Sequence, residues 1–379
     1  MKKIGIFTYG RYYNYGTVLQ AYALQNFISR HHACDVEIID YVAKNEYVGK
    51  KLVLTRLKRS FRYLKDFKKY YVLYKNRHCE ELKKHKFDEF FKSTIRFSEK
   101  VSDLIESHNA ICDSYDAIIV GSDQTWNPFV STKGVFLLEW VDAKKITKLA
   151  YAPSMGISRL PQEYAERYYN ALSSFEALSC RERGGALFLS ELLGKKVEFV
   201  LDPTLLLKPE DWEDIAMPIN MEEPYLLTYF LGDNKNHRKV AQRIAKEGGM
   251  KIVSIPISYL EIEESSIEDM YIGPREFVSL IKNASFVCTD SFHGTMFSIN
   301  FNKNFISFPK RNDIDVNSDN NRIYDALDVF GLSERVFIGE LPQSLNIDYT
   351  NTNKILSKLR ASSYDYLTKA LSCIKDKEK

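Results

Sequence analysis

The sequence predicts an α/β protein with two doubly wound parallel sheets facing a cleft. Three observations predict it. Short apolar runs rich in strand formers alternate with helical patterns, an order that puts helices on both faces of a parallel sheet. The series starts a second time near residue 225, after a stretch containing Pro and Glu. The 379 residues suffice for two domains of ordinary size, and 45% hydrophobic with 27% charged residues is a globular mix that excludes disordered, collagenous and fibrous chains.

Taken in order, Lys3 to Tyr9 (KIGIFTY) reads as a strand, and Val18, Leu19, Tyr22, Leu24 and Phe27 mark the apolar face of the helix after it. Val36 to Tyr41 is a second strand. After a basic stretch come strands at Ala117 to Val120 (AIIV) and Lys148 to Ala152 (KLAYA), and a helix over about 162–175. A strand at Ala177 to Cys180, a helix over about 185–193 and a strand at Val197 to Leu201 complete the first series. The second runs strand Tyr225 to Leu231, helix about 237–247, strand Lys251 to Pro256, helix about 274–283, strand Ser285 to Thr289, helix about 294–301 and strand Asn304 to Phe308. The expected division is a Rossmann-like domain over 1–215, a second over 216–345, and a terminal helical stretch over 346–379 that packs across both. Ligands are expected at the carboxyl ends of the strands.

The net charge of +3 is unevenly spread. Between Lys50 and Arg96 sixteen Lys or Arg face five Asp or Glu, a local +11 that leaves −8 for the rest. In this insert, about 50–96, Val53, Leu57, Phe61, Leu64, Phe67, Tyr71 and Tyr74 recur every three or four residues, so it reads as a basic amphipathic helix. Such a helix either packs one face on the core or rests on an anionic membrane surface or an anionic acceptor, each cation gaining roughly 1 kcal/mol near such a surface. No zinc-finger, RNP-like or helix-turn-helix pattern accompanies the charge, so no nucleic-acid partner is expected. The start, MKKIGIFTYGRYYNYG, does not make a signal peptide, and no apolar run approaches the roughly 18 residues of a membrane span. The protein is expected in the cytoplasm, peripheral to the inner membrane face if the basic helix docks there. Six scattered cysteines (Cys34, Cys79, Cys112, Cys180, Cys288, Cys373) fit buried reduced thiols rather than disulfides or a zinc cage.

Four loops after strands are rich in small or polar residues. Tyr13 to Thr17 permits close backbone approach at Gly16 and offers free N–H groups at a helix start. Gly121 to Pro128 carries Asp123, Gln124, Trp126 and Asn127, which suit hydrogen bonding and stacking on a sugar; the alternative is a capped turn around a buried Trp. Ser179 to Gly185 sets Arg181 where a strand gives way to a helix, and its fork suits a carboxylate, a phosphate or a salt bridge to Glu182. Thr289 to Thr295 is the most specific. It brings Asp290, Ser291 and His293 to a helix opening at Gly294, joining a titratable imidazole to an anion-binding helix start. Asp290 is expected to orient the imidazole and Ser291 to touch an anion. The other histidines (His31, His32, His78, His85, His108, His237) read as solvated surface.

Together the Asn14/Gly16 loop, YDAIIVGSDQTWNP, YAPSMG, SCRERGG, VLDPTLLL and DSFHGTMFSINF resemble the polysaccharide pyruvyl transferase family, in the right order as far as about Phe308. The resemblance implies a GT-B-like fold and transfer of a pyruvyl group from phosphoenolpyruvate to a sugar of a cell-surface glycan precursor, forming a ketal. It implies Arg181 and His293 as donor ligands, with a downstream cation for which Lys310, Arg311 and Arg322 are all candidates. The donor side is then Arg181, Ser291, His293, Gly294, Thr295 and these cations, and the acceptor side Asn14, Gly16, Thr17, Gln124, Trp126 and Asn127.

The implied chemistry suits these residue types. A carboxylate and a phosphate need converging cations and amide donors. Ketal formation needs a general acid, for which His293 is the candidate, and a base or hydroxyl-orienting group, for which Asp123 is the candidate. Phosphoenolpyruvate is a co-substrate; no cofactor is implied and no step needs a metal. Asp313-Ile314-Asp315 mimics a DxD metal motif and reads as solvated loop. The acceptor is expected to be lipid-linked or nucleotide-linked. Two rival readings are a nucleotide-sugar glycosyltransferase of the same shape, whose product gains a hexose, and a non-catalytic glycan-binding protein, which would release no phosphate.

Overall fold

The structure, a computed structural model, describes residues 1–42, 77–130, 134–157, 159–219, 221, 223–232, 234–257, 272–310 and 320–375. Among these, β1 (Lys2–Phe7), α1 (Tyr15–His31), β2 (Cys34–Tyr41), α2 (Arg77–Thr94), β3 (Phe97–Val101), α3 (Leu104–Ser114), β4 (Ala117–Val120) and β5 (Thr147–Ala150) open the chain. There follow α4 (Gln162–Leu172), β6 (Ser179–Cys180), α5 (Arg183–Leu193), β7 (Glu198–Phe199), α6 (Pro203–Leu206) and α7 (Pro209–Glu213). The second series is β8 (Tyr225–Tyr229), α8 (Lys235–Glu247), β9 (Lys251–Ser254), α9 (Pro274–Asn283), β10 (Phe286–Thr289), α10 (Phe292–Asn300) and β11 (Asn304–Ser307). After α11 (Asn321–Val329), the long α12 (Thr350–Ser372) closes the chain.

One sheet has the order β3-β2-β1-β4-β5 and another β11-β10-β8-β9, both parallel throughout. A bridge from Leu149 to Ala177 carries the first toward the parallel pair β6 and β7, and a bridge from Ser307 to Val336 extends the second. The strands read as unbroken apolar runs because both faces are covered. In β4, Ala117 and Ile119 join one core cluster while Ile118 and Val120 join another; in β8, Tyr225, Leu227 and Tyr229 part from Leu226 in the same way. The faces that turn toward each other share a single core with the helices between them.

That seam is apolar and specific. Tyr15 of α1 stacks on Phe277 of α9 at 4.7 Å and donates its hydroxyl to the Ile272 carbonyl at 2.7 Å, while Trp212 meets Phe297 at 4.9 Å. Each such buried ring contributes roughly 1.5–3 kcal/mol, so the two sheets are joined by core rather than by a wet interface. Helix α12 touches both series: Thr352 donates to the Phe330 carbonyl at 3.2 Å, and Tyr366 donates to the Ala150 carbonyl at 2.7 Å.

Several expectations change. Strand β3 reads FSEKV and none of its residues is buried, so this edge strand has no apolar run to announce it. His237 is buried against Phe308 and Phe230 on the inner face of α8, where burial lowers its pKa to about 4; a polar sequence context hid an inward-facing position. Cys373 is exposed, unlike Cys112, Cys180 and Cys288. Residues 53–74, which carry the predicted basic amphipathic face, and residues 311–315 lie outside the described residues. Among the described residues no helix is long and apolar enough to cross a membrane, and no group of three or more His, Cys, Asp or Glu side chains is placed to hold a metal ion.

Candidate functional site

In each sheet the first strand of its series lies between two strands reached by opposite turns: β1 between β2 and β4, and β8 between β9 and β10. These are the two topological switch points, where doubly wound sheets open a crevice beyond their carboxyl ends. Both crevices open on one cavity of about 370 Å³. Tyr9, Tyr12, Asn14, Thr17, Asp123, Gln124 and Val130 line it from the first series, and Leu231, Ser291, Phe292, His293, Lys310 and Arg322 from the second.

On the first side Asn14 caps α1 by accepting from the Thr17 amide at 3.1 Å, which leaves the Thr17 hydroxyl to donate to Asp123 Oδ2 at 2.7 Å. Asp123 has φ 73° and ψ −172°, a backbone region that favours glycine. A residue held there costs roughly 1–3 kcal/mol and persists only where its surroundings fix it. Here the Ser154 amide donates to its carbonyl at 2.8 Å and the Gln124 amide to its Oδ1 at 2.8 Å. Burial alone would raise this carboxyl's pKa, but the charges of His293, Arg181 and Arg322 and the Thr17 bond bring it below the ordinary value.

On the second side Ser291 caps α10, its Oγ accepting from the Gly294 amide at 3.3 Å. The helix begins at Phe292, so His293 lies inside its first turn instead of preceding it. Gly16 of α1 packs directly on the imidazole: a Cβ there would lie 2.1 Å from His293 Nδ1 and 2.3 Å from Cγ. The glycine is required by this close approach of two helix starts.

Asp202, just before α6, ties the site together. Its Oδ2 accepts from Arg181 Nη1 at 2.7 Å and from the Ser122 hydroxyl at 3.1 Å, and lies 3.6 Å from His293 Nε2. Its Oδ1 accepts from the Thr204 amide and hydroxyl at 3.0 and 2.7 Å. Burial opposes ionisation, yet His293, Arg181 and Thr204 hold the carboxyl well below the usual carboxylate range. Arg181 is itself buried, stacked over Phe292 at 4.2 Å, with Glu182 Oε1 3.4 Å from its Nε. Arg181 Nη2 and His293 Nε2 are buried and have no hydrogen-bond partner among the described residues. His293 Nε2 still faces Asp202 Oδ2 at 3.6 Å, so the unpartnered guanidinium N–H of Arg181, behind a cavity lined by Lys310 and Arg322, is the group that calls for an anion.

The structure therefore brings Asn14, Thr17, Asp123, Gln124, Ser291, His293, Lys310 and Arg322 to the cavity, with Arg181 and Gly16 directly behind. Other expected residues are turned elsewhere. Trp126 is fully buried, donating to the Phe136 carbonyl at 3.3 Å and packing edge-on against Phe175, so it is core. Asn127 supports the loop by donating to Gln124 Oε1 at 2.7 Å and accepting from the Phe129 amide. Thr295 is tied to Ser307 and to the Ser291 carbonyl, and Gly294 packs on Thr289 with its amide spent on the Ser291 cap. Asp290 accepts from the Leu231 and Gly232 amides at 2.6 and 2.9 Å, so it shapes the loop after β8; Asp202 is the carboxylate beside the imidazole. Asp202 was signalled by the Asp-Pro pair after an apolar run, a helix-start pattern, and by its place in the VLDPTLLL motif, neither of which gave it a role, and Tyr9 and Tyr12 by nothing beyond their place in a loop.

The family model described as polysaccharide pyruvyl transferase matches residues 14–310. A search of curated proteins finds no match. Among solved structures, the chain is similar to UDP-GlcNAc 2-epimerase from Methanocaldococcus jannaschii, at 13% identity and a TM-score of 0.52, covering 99% of this chain and 94% of that one. It is similar also to UDP-N-acetylglucosamine 2-epimerase from Rickettsia bellii, at 11% identity and 0.51, covering 99% and 97%. The UDP-GlcNAc 2-epimerase from Neisseria meningitidis bound to UDP-GlcNAc gives 11% identity and 0.50, covering 99% and 95%. Such identities show the fold alone, which is GT-B-like.

Proposed function

The chain belongs to the polysaccharide pyruvyl transferase family, and from that premise we propose that it transfers the pyruvyl group of phosphoenolpyruvate to two hydroxyls of a glycan-precursor sugar. The observation that carries this reading is the buried, unpartnered Arg181 Nη2 behind a cavity that His293, Lys310 and Arg322 line. A co-substrate with a carboxylate and a phosphate would satisfy that N–H, and Arg181, Lys310 and Arg322 supply the matching charge.

In the reaction a proton from His293 adds to the vinyl CH2 carbon, leaving the neighbouring carbon electron-poor. One sugar hydroxyl attacks that carbon and gives up its proton. The carbon–oxygen bond to phosphate then breaks, phosphate leaves with the electron pair, and the second hydroxyl closes the ketal. Of the two hydroxyl protons released, one restores His293 and the other departs with phosphate. Asp123, ionised and 2.7 Å from the Thr17 hydroxyl, faces the donor across the cavity. A carboxylate held this acidic is a weak base, so its main contribution is to orient the attacking hydroxyl and accept its proton late. The acceptor is lipid-linked or nucleotide-linked in this reading.

The test is incubation with phosphoenolpyruvate and a panel of lipid-linked and nucleotide-linked sugars. Acceptor-dependent phosphate release, with a product that gains pyruvate less one water, is expected. A product that gains a hexose from a nucleotide sugar, or sugar binding without phosphate release, would overturn the proposal.

A further inference from the structure

The cavity is electrically two-faced. Its described lining carries two cations on the second-series side, Lys310 and Arg322, and no carboxylate there; on the first-series side it carries one carboxylate, Asp123, and no cation. The proposed donor takes the cationic face. What is left for the acceptor is an ionised carboxylate, the Gln124 amide and aromatic surface.

The aromatic surface is buttressed. Tyr12 is 52% exposed, yet its ring meets Tyr9 edge to face at 5.1 Å, Tyr9 meets Phe136 at 4.7 Å, and Phe136 meets Phe7 of β1 at 4.8 Å. A row of rings thus runs from the sheet to the lip of the cavity and ends in an exposed one. The Tyr12 hydroxyl sits in the field of Asp123, and burial and that charge together raise its pKa, so the phenol stays neutral. A fixed ring face beside a carboxylate and an amide has the chemistry to hold a saccharide: the C–H groups of one pyranose face cover the ring while hydroxyls reach the polar groups.

We propose that the acceptor presents an uncharged pyranose here, with its apolar face on Tyr12 and its two reacting hydroxyls toward Asp123, and that a sugar carboxylate is excluded. This rests on the pyruvyl-transfer reading. Two carboxylates roughly 5 Å apart at an effective dielectric of about 20 repel by an amount equivalent to on the order of a hundredfold in affinity.

The experiment loads the protein with phospholactate, which has the carboxylate and phosphate of phosphoenolpyruvate but no vinyl group. Binding of nitrophenyl glucoside, galactoside and mannoside, and of the uronides of the same three configurations, is then followed by saturation-transfer NMR. At least one neutral glycoside is expected to bind, with its uronide at least tenfold weaker. Tyr12→Ala should weaken the neutral glycoside roughly tenfold and Tyr12→Phe should retain it, the loss expected for one stacked ring. Asp123→Asn should narrow the gap between neutral sugar and uronide. Equal binding of a uronide, no binding of any neutral hexoside, or an unaffected Tyr12→Ala would each overturn the inference. Calorimetry with phosphoenolpyruvate keeps the two claims apart: if it fails to bind, the transfer reading falls, and if it binds beside any contrary result above, only this inference falls.

Discussion

Gly16→Ala is a small perturbation with a calculable consequence. The added methyl would sit 2.1 Å from His293 Nδ1 and 2.7 Å from its Cβ, where ordinary van der Waals contact begins near 3.4 Å, so the ring must retreat by about 1 Å. Overpacking of this kind costs roughly 1–3 kcal/mol. Replacing a glycine inside a helix returns about 1 kcal/mol, and Gly16, the second residue of α1, returns at most that. The net loss of stability is therefore about 0–3 kcal/mol, within reach of urea titration and too small to unfold the protein. Turnover should fall much further, since a displacement of about 1 Å in a catalytic group costs on the order of 10²-fold. Phosphate release in the single variants and in the Gly16→Ala, His293→Gln double variant forms a cycle. The methyl should cost little once the imidazole is gone, giving strong coupling between the two positions. A well-folded Gly16→Ala with near-normal turnover, or losses that simply multiply in the double variant, would refute the reasoning.

Asp123 and Asp290 give two further expectations. Asp123→Gly and Asp123→Asn both remove the charge, but only glycine relaxes the backbone at φ 73°, so the glycine variant should be the more stable by about 1 kcal/mol or more in urea, while both lose turnover. Equal stability of the two would mean that the backbone is not strained. The Asp290 carboxyl is pushed up to about 6, first by burial, against the pull of the Leu231 and Gly232 amides. A raised carboxyl contributes stability that is full below its ordinary value of 3.8 and is lost as pH climbs through about 6. The loss is on the order of 3 kcal/mol. Asp290→Asn should abolish that fall between pH 4 and 6, and a difference from wild type that does not vary with pH would contradict it.

Much of the fold was legible because its strands are buried on both faces and its helices carry an apolar stripe, and both patterns survive as runs and periodicities. Helix α9 was placed residue for residue by Pro274 at its start and the periodic apolar positions behind it. Strand β3 and helix α3 were not, since an edge strand of partly exposed Ser, Glu and Lys has no burial pattern to read. At the site, Asp123, His293 and Arg181 stood out because polar residues directly after strands are exposed to a crevice by the topology alone. The direction in which each side chain turns was not legible. Trp126 follows Asp123 by three residues and points into the core, and Asp290 precedes His293 by three yet spends both oxygens on another loop. Asp202 lies 91 positions from His293 in sequence and meets it only through the fold.

The central claim is that His293 donates a proton in a site that Arg181 and Asp202 hold ready for phosphoenolpyruvate. The most direct measurement compares turnover with phosphoenolpyruvate affinity in His293→Gln, by phosphate release and calorimetry on one preparation whose fold has been checked. Glutamine keeps a hydrogen-bonding group but has no titratable proton, so affinity should stay close to wild type while turnover falls about 10²–10⁴-fold. Near-normal turnover in His293→Gln would contradict the account and move the acid elsewhere in the cavity.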